Sequence, residues 1–280
     1  YLYCLKFRHI LFLLWIINFL TKERINMNKK FLLTMAVALP MTLSSQAKSF
    51  EFPEKLPFGE FSANVQYVSN YIWRGEEQTG EIAIQGGFDW SGTIVENYAD
   101  IYIGTWMANL NTAGNGSELD YYGGISGAVP GLEDYLSYDA GLLYYDYPGG
   151  LATKGLEFLE YYISAGVSLP MDIGLSYYYG FSPTGYAQNF DYSYNNVSAE
   201  APIPGTPLTL YGGVGFTDSD SNDTVTGYGF TDYKVGLSTE AFGLGWGVEY
   251  TTTTDYAGTG VDSDTTAGGD HVVIYVNASF

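Results

Sequence analysis

Nine ionisable residues share one kind of placement: Arg74, Asp89, Glu118, Asp120, Asp139, Glu160, Asp232, Lys234 and Glu249. Each stands in a run where bulky apolar residues alternate with small or polar ones, and each falls on the small or polar side. With Tyr67, Tyr71 and Trp73 on one face, for example, Asn64, Gln66, Asn70 and Arg74 take the other. Seven acids against two bases on an enclosed face form a lining that draws cations and repels anions. The same set also admits internal pairing, with Arg74 and Lys234 meeting Asp89, Asp120 or Asp232 and filling a narrow interior.

Two acidic stretches have a spacing that suggests a divalent cation, Asp218-Ser-Asp220-Ser-Asn-Asp223 and Asp262-Ser-Asp264. An EF-hand loop needs Gly at its sixth position and Glu at its twelfth, and here these are Asp223 and Gly229. The stretches read either as solvated acidic loops or as weak divalent sites bridging lipopolysaccharide phosphates. Catalytic residues are not expected. The one histidine after Ala47 is His271, on the opposite face from Val272 and Phe280, whereas a lipid hydrolase needs its base on the lipid side. There is no Gly-x-Ser-x-Gly motif. The single cysteine, Cys4, precedes all of these runs, so thiolate metal sites and disulfides are not expected, and neither is a cofactor.

The elements that must carry these residues are strands. Leu244-Gly-Trp-Gly-Val-Glu-Tyr250 is representative: Leu244, Trp246, Val248 and Tyr250 share one face, Gly245, Gly247 and Glu249 the other. Such runs predict about twelve strands, over residues 61–74, 82–90, 98–109, 117–129, 134–147, 157–169, 171–181, 190–201, 207–217, 228–239, 242–254 and 271–280. Their lengths suit tilted membrane strands of about 9–11 residues. Connections at 91–97, 130–133, 170, 202–206 and 241 are short. Those at 75–81, 110–116, 148–155, 182–189, 218–227 and 254–270 are longer and polar. This sorting predicts an all-β, transmembrane, antiparallel up-and-down barrel with periplasmic termini and outward-facing long loops. The last strand alternates Val272, Ile274, Val276, Ala278 and Phe280, and its terminal aromatic is the kind of signal that barrel-assembly machinery reads. Tyr67, Tyr71, Trp73, Trp90, Trp106, Tyr144 and Trp246 are expected mostly in interfacial girdles, with sugar stacking as the alternative.

A leader is expected ahead of the barrel. Met27 is followed by Lys29 and Lys30, an apolar stretch from Phe31 to Leu39, Pro40, and small residues up to Ala47, the order of a secretory signal peptide cleaved near Ala47. Residues 1–26 are expected to be an upstream extension, and 48–280 the barrel. Six of the 11 basic residues and one of the 31 acidic ones precede residue 48. That leaves 5 bases against 30 acids, an excess of 25 negative charges. Such a chain repels nucleic-acid phosphates. With 46% hydrophobic and 17% aromatic residues it can bury ample apolar surface, which excludes disorder.

Six stretches carry a family resemblance: Val68-Ser-Asn-Tyr-Ile-Trp-Arg-Gly75, Ile84-Gln-Gly-Gly-Phe-Asp-Trp90, Tyr102-Ile-Gly-Thr-Trp-Met-Ala-Asn109, Glu118-Leu-Asp-Tyr-Tyr-Gly-Gly124, Tyr144-Tyr-Asp-Tyr-Pro-Gly149 and Thr231-Asp-Tyr-Lys-Val-Gly236. In order along the chain, they resemble the TorF-like family of outer-membrane porins, also described as a conserved hypothetical family. The resemblance implies a membrane barrel with channel function and brings no catalytic residues. The expectation is a passive channel for small cationic or neutral solutes in contact with outer-membrane lipid and lipopolysaccharide. Its rival is a closed structural or surface-recognition barrel without transport.

Overall fold

The structure, a computed structural model, describes residues 59–110, 116–148, 155–185, 191–219, 229–254 and 268–280. The proposed leader, the cleavage site near Ala47, and the loop candidates Asp220, Asp262 and Asp264 lie outside the described residues.

Among the described residues fourteen strands form: β1 (Glu60–Val68), β2 (Ile72–Trp73), β3 (Glu76–Glu77), β4 (Ala83–Val95), β5 (Ala99–Asn109), β6 (Ser117–Ala128), β7 (Leu136–Asp146), β8 (Phe158–Leu169), β9 (Ile173–Ser182), β10 (Tyr192–Pro202), β11 (Leu208–Asp218), β12 (Gly229–Ala241), β13 (Leu244–Thr254) and β14 (His271–Ser279). Twelve of them, β1 and β4 to β14, close into an antiparallel barrel in which each strand pairs with its sequence neighbours, and β1 pairs with both β4 and β14. Closure leaves no open edge, so the strand backbones satisfy their hydrogen bonds within the wall, as hydrocarbon surroundings demand. An 11-residue strand rises about 37 Å and, tilted near 45°, spans roughly 26 Å, the height of a membrane barrel's apolar band.

Burial is inverted relative to a water-soluble protein. Phe88, Ile84, Ile103, Ile163, Val272 and Ile274 point outward and are exposed, Phe88 to 71%. Glu160, Asp120, Asp139 and Glu118 point inward and are buried. A continuous exposed apolar wall is stable only against another apolar phase. Among the described residues no helix is long and apolar enough to cross a membrane. The described residues thus form an all-β, closed, twelve-stranded barrel, with strand boundaries within a few residues of those the alternation predicts except at the end of β1, six residues earlier, and of β4, five residues later.

Connections at the barrel end that holds Glu60 and Phe280 are tight. Asn97, the Met171–Asp172 pair and the Phe242–Gly243 pair reverse the chain through positive φ. At Ile203–Pro207 the Ile203 amide donates to the Leu208 carbonyl at 2.8 Å. Two expectations need correction. The first barrel strand stops at Val68 instead of running to residue 74, and residues 75–81 do not form an outer loop. Segment 69–82 instead turns into the lumen as a small hairpin, β2 paired with β3 (Ile72 opposite Glu77, Trp73 opposite Glu76). Tyr71, Trp73 and Trp106 accordingly face the interior, while Tyr67, Tyr144 and Trp246 lie on the outer wall as expected.

Candidate functional site: the lumen and its hairpin

The hairpin is built by its own side chains. Asn70 Nδ2 donates to Glu77 Oε2 at 2.6 Å, and Asn70 Oδ1 accepts from the Gly80 amide at 3.0 Å. The Tyr71 amide donates to Thr79 Oγ1 at 3.0 Å, and the Gln78 amide to the Tyr71 carbonyl at 2.8 Å. Arg74 (φ 50°) and Gly75 (φ 82°) form the two-residue turn at its tip, the left-handed pair that a tight hairpin requires. A Cβ on Gly75 would come within 2.6 Å of both Asp232 Cβ and Thr253 Cγ2, so the tip sits hard against the barrel wall.

From this tip Arg74 crosses the lumen. Its Nη1 and Nη2 donate to Glu160 Oε2 and Oε1, each at 2.8 Å, a bidentate pair that is nearly solvent-free on both sides. Nη1 also donates to the Tyr192 hydroxyl at 3.2 Å. The guanidinium carbon lies 4.5 Å from the Trp73 ring centre, 4.3 Å from that of Tyr194, 5.5 Å from Tyr192 and 5.7 Å from Tyr178. Trp73 in turn stacks on Tyr192 and meets Tyr145 edge-on, while Tyr71 packs edge-on against Trp106. Strands β7 to β10 therefore supply one carboxylate and a ring of phenols, and the hairpin supplies the cation.

The remaining sequence-predicted residues also face inward. A tyrosine hydroxyl reaches at least four of the seven acids. Tyr178 donates to Glu160 at 2.5 Å, Tyr102 to Asp139 at 2.6 Å and Tyr194 to Asp232 at 3.3 Å, and Tyr122 bonds Asp89. Tyr102 also shares a hydrogen bond with Tyr162. A buried carboxylate without such donors is strongly destabilising, so these phenols are what let the acids stand inside. Glu118 and Asp120 are buried where the hairpin packs, Glu249 is buried on β13, and Lys234 is half-buried two residues from Asp232. Arg74 meets Glu160, and none of the three acids anticipated for it, because its side chain crosses the lumen from the tip, which lies against β12 and β13, to β8. Asp218 ends β11, exposed.

The tyrosines were not anticipated as lumen residues. Their signal is register: Tyr102 lies opposite Gly124, Tyr162 opposite Gly141, Tyr211 opposite Gly236 and Tyr275 opposite Gly247. Each ring lies across a glycine of the next strand, in space that a Cβ would occupy. Inward tyrosine facing inward glycine marks an aromatic that is folded into the lumen wall.

Toward the end with Glu60 and Phe280 the inward face becomes small and hydroxylic. Ser91, Ser126, Ser137, Ser164, Ser176 and Ser198 are all half-buried. The lumen is therefore asymmetric, packed at the hairpin end and looser at the other. His271, on the first residue of β14, places Nδ1 3.4 Å from Glu77 Oε2 of the hairpin.

The family described as "Bacterial protein of unknown function (Gcw_chp)" matches residues 55–280. No curated protein matches. Among solved structures, the chain is similar to the COG4313 outer membrane channel from Pseudomonas putida F1, at TM-score 0.55 and 8% identity over 81% of this chain and 96% of that one. It is similar to LpxR from Salmonella typhimurium at TM-score 0.45 and 10% identity, over 78% of this chain and 99% of that one. The TodX deltaS2S3 mutant monoaromatic hydrocarbon channel gives TM-score 0.46 and 9% identity over 79% and 89%. At these identities the likeness is one of fold.

Proposed function

The chain belongs to the Gcw_chp family of bacterial proteins of unknown function, and from that premise we propose that it is an outer-membrane channel for small cationic or neutral solutes, held closed by the β2–β3 hairpin. The observation that carries the reading is charge on the inner wall. Asp89, Glu118, Asp120, Asp139, Glu160, Asp232 and Glu249 face inward, and Arg74 and Lys234 are the only Lys or Arg among the described residues. An enclosed lining of that sign concentrates cations and excludes anions. The resemblance of six stretches to TorF-like porins supports the same reading. Export by the leader ending near Ala47, insertion through the terminal Phe280, contact with lipopolysaccharide and the absence of catalysis are parts of this proposal.

The packed hairpin favours a second reading, a permanently closed barrel with a structural or surface role. Planar-bilayer recording separates the two. The channel reading expects cation-selective conductance, with a reversal potential of matching sign in a salt gradient, rising when residues 70–80 are replaced by a short Gly-Ser link. Silence from both proteins, each shown to be folded, favours the closed barrel. Lipid hydrolysis by the purified protein would replace both with an enzyme.

A further inference from the structure

The hairpin is joined covalently to the wall only at its two ends, yet its arginine sits in a pocket the wall has already assembled. The Glu160 carboxylate is completely buried and is oriented by the Tyr178 hydroxyl. The faces of Tyr178, Tyr192 and Tyr194 converge on the point where the guanidinium carbon lies. A carboxylate presenting both oxygens to one planar cation, ringed by phenol faces, is what guanidinium recognition requires: a fork for the N–H pairs and π-clouds for the weakly hydrated faces. Without Arg74 the wall would hold an uncompensated buried carboxylate, which makes the pocket a receptor in need of a cation.

The geometry points to a solute-binding site: the Glu160 pocket takes small guanidinium compounds, and Arg74 is the tethered ligand that occupies it when none is present. This rests on the channel reading and deepens it by naming the solute class and the trigger. A guanidinium solute that displaces Arg74 removes the hairpin's strongest attachment to β8 and β10, so binding and opening are one exchange. Primary ammonium compounds compete less well, because a point charge cannot use both carboxylate oxygens in one plane. Tethering gives Arg74 an effective concentration on the order of millimolar, so an external solute must approach that range to compete.

The test begins with Arg74→Ala, which empties the pocket and leaves Trp73 beside it as a fluorescent reporter. In detergent, guanidinium chloride and agmatine should quench the part of the tryptophan emission that Trp73→Phe removes, saturably, and raise the thermal midpoint. Urea, planar but uncharged, should not, and Arg74→Ala/Glu160→Gln should respond to neither cation. Folding of Arg74→Ala only with guanidinium present counts as support. A folded Arg74→Ala protein without a saturable response, or with one unchanged by Glu160→Gln, overturns the assignment. Should Arg74→Ala not fold under any condition, the wild-type protein decides. Agmatine should accelerate hydrogen exchange of the 70–80 amides, and unchanged exchange at 100-fold the effective concentration of the tethered arginine overturns the proposal. Binding in these assays without conductance in bilayers leaves the site standing and removes the channel; conductance without binding does the reverse.

Discussion

Phe280 and Ala63 exchange both of their backbone hydrogen bonds, the Phe280 amide to the Ala63 carbonyl at 2.8 Å and the Ala63 amide to the Phe280 carbonyl at 3.1 Å. The last residue of the chain therefore joins the seam where β14 meets β1. Its side chain is half-exposed on the outer wall.

Backbone and side chain of Phe280 are thus separable. Deleting the residue removes two hydrogen bonds in lipid and should lower barrel stability by about 1–3 kcal/mol. Phe280→Ala keeps both bonds and should refold in detergent nearly as well as wild type. In cells both variants should assemble poorly if the terminal aromatic is the insertion signal. Heat-modifiable gel mobility of refolded protein, set against outer-membrane yield, checks this. Normal yield for Phe280→Ala would sink the signal reading.

The Arg74–Glu160 pair should behave as one unit. Removing one partner of a buried ion pair strands the other and costs about 3–5 kcal/mol. Arg74→Met and Glu160→Met should each destabilise by that order. The double variant should fall well short of the sum, since no charge is left stranded. Denaturant midpoints in detergent for the four proteins give the coupling. Additive losses would mean that the pair is not energetically joined.

Glycines under tyrosine rings should be intolerant where open-turn glycines are not. Tyr275 lies across Gly247, so Gly247→Val forces the ring out of its place in the wall, an overpacking cost of about 1–3 kcal/mol. Gly131 has positive φ but nothing near its Cβ position, so Gly131→Asn should be nearly silent. The two thermal midpoints compare them, and equal shifts would refute the packing argument.

These particulars show what was legible in the sequence. Strand number and most strand boundaries followed from alternation, because one wall face meets lipid and the other does not. The hairpin was misread for the same reason. Tyr71 and Trp73 continue the period of β1, but they bury against the lumen, and period two reports alternate burial without saying which medium covers each side. Arg74-Gly75 at the tip was the local signal for a tight turn. Inward tyrosines escaped notice because a phenol suits a membrane interface as well as a buried carboxylate. Only the pairing of Tyr102 with Gly124, or Tyr162 with Gly141, tells the two apart, and that needs register.

One loop carboxylate gives a pH prediction. Asp270 accepts from Thr252 Oγ1 at 2.6 Å and from the Tyr250 hydroxyl at 2.9 Å, and these donors, Thr252 first, hold its carboxyl below the usual range. A depressed folded-state value means that the contribution to stability is complete above the unfolded value, about 3.9, and is lost as pH falls through the lower folded one. Thr252→Val should move the Asp270 titration upward, read by carboxyl carbon NMR. An unchanged midpoint would show that the hydroxyl is not responsible.

The sharpest test of the closed lumen is at Gly75. Its φ of 82° disfavours any side chain, and a Cβ would press on Asp232 and Thr253 from 2.6 Å. Relief for Gly75→Val cannot come from the barrel wall, which is fixed by neighbours on both sides in the β11–β12–β13 ladder. It must come from the hairpin, which should withdraw and take Arg74 away from Glu160. Three readouts should move together: faster hydrogen exchange at 70–80, a red shift of tryptophan emission that is lost when Trp73 is also replaced by Phe, and larger single-channel conductance in bilayers. Strand amides of β8 to β12 should stay protected, since the wall is not altered. A variant that folds with the hairpin amides as protected as in wild type would show that the tip is not wedged where the geometry puts it, and the plug account would then fail at its anchor point.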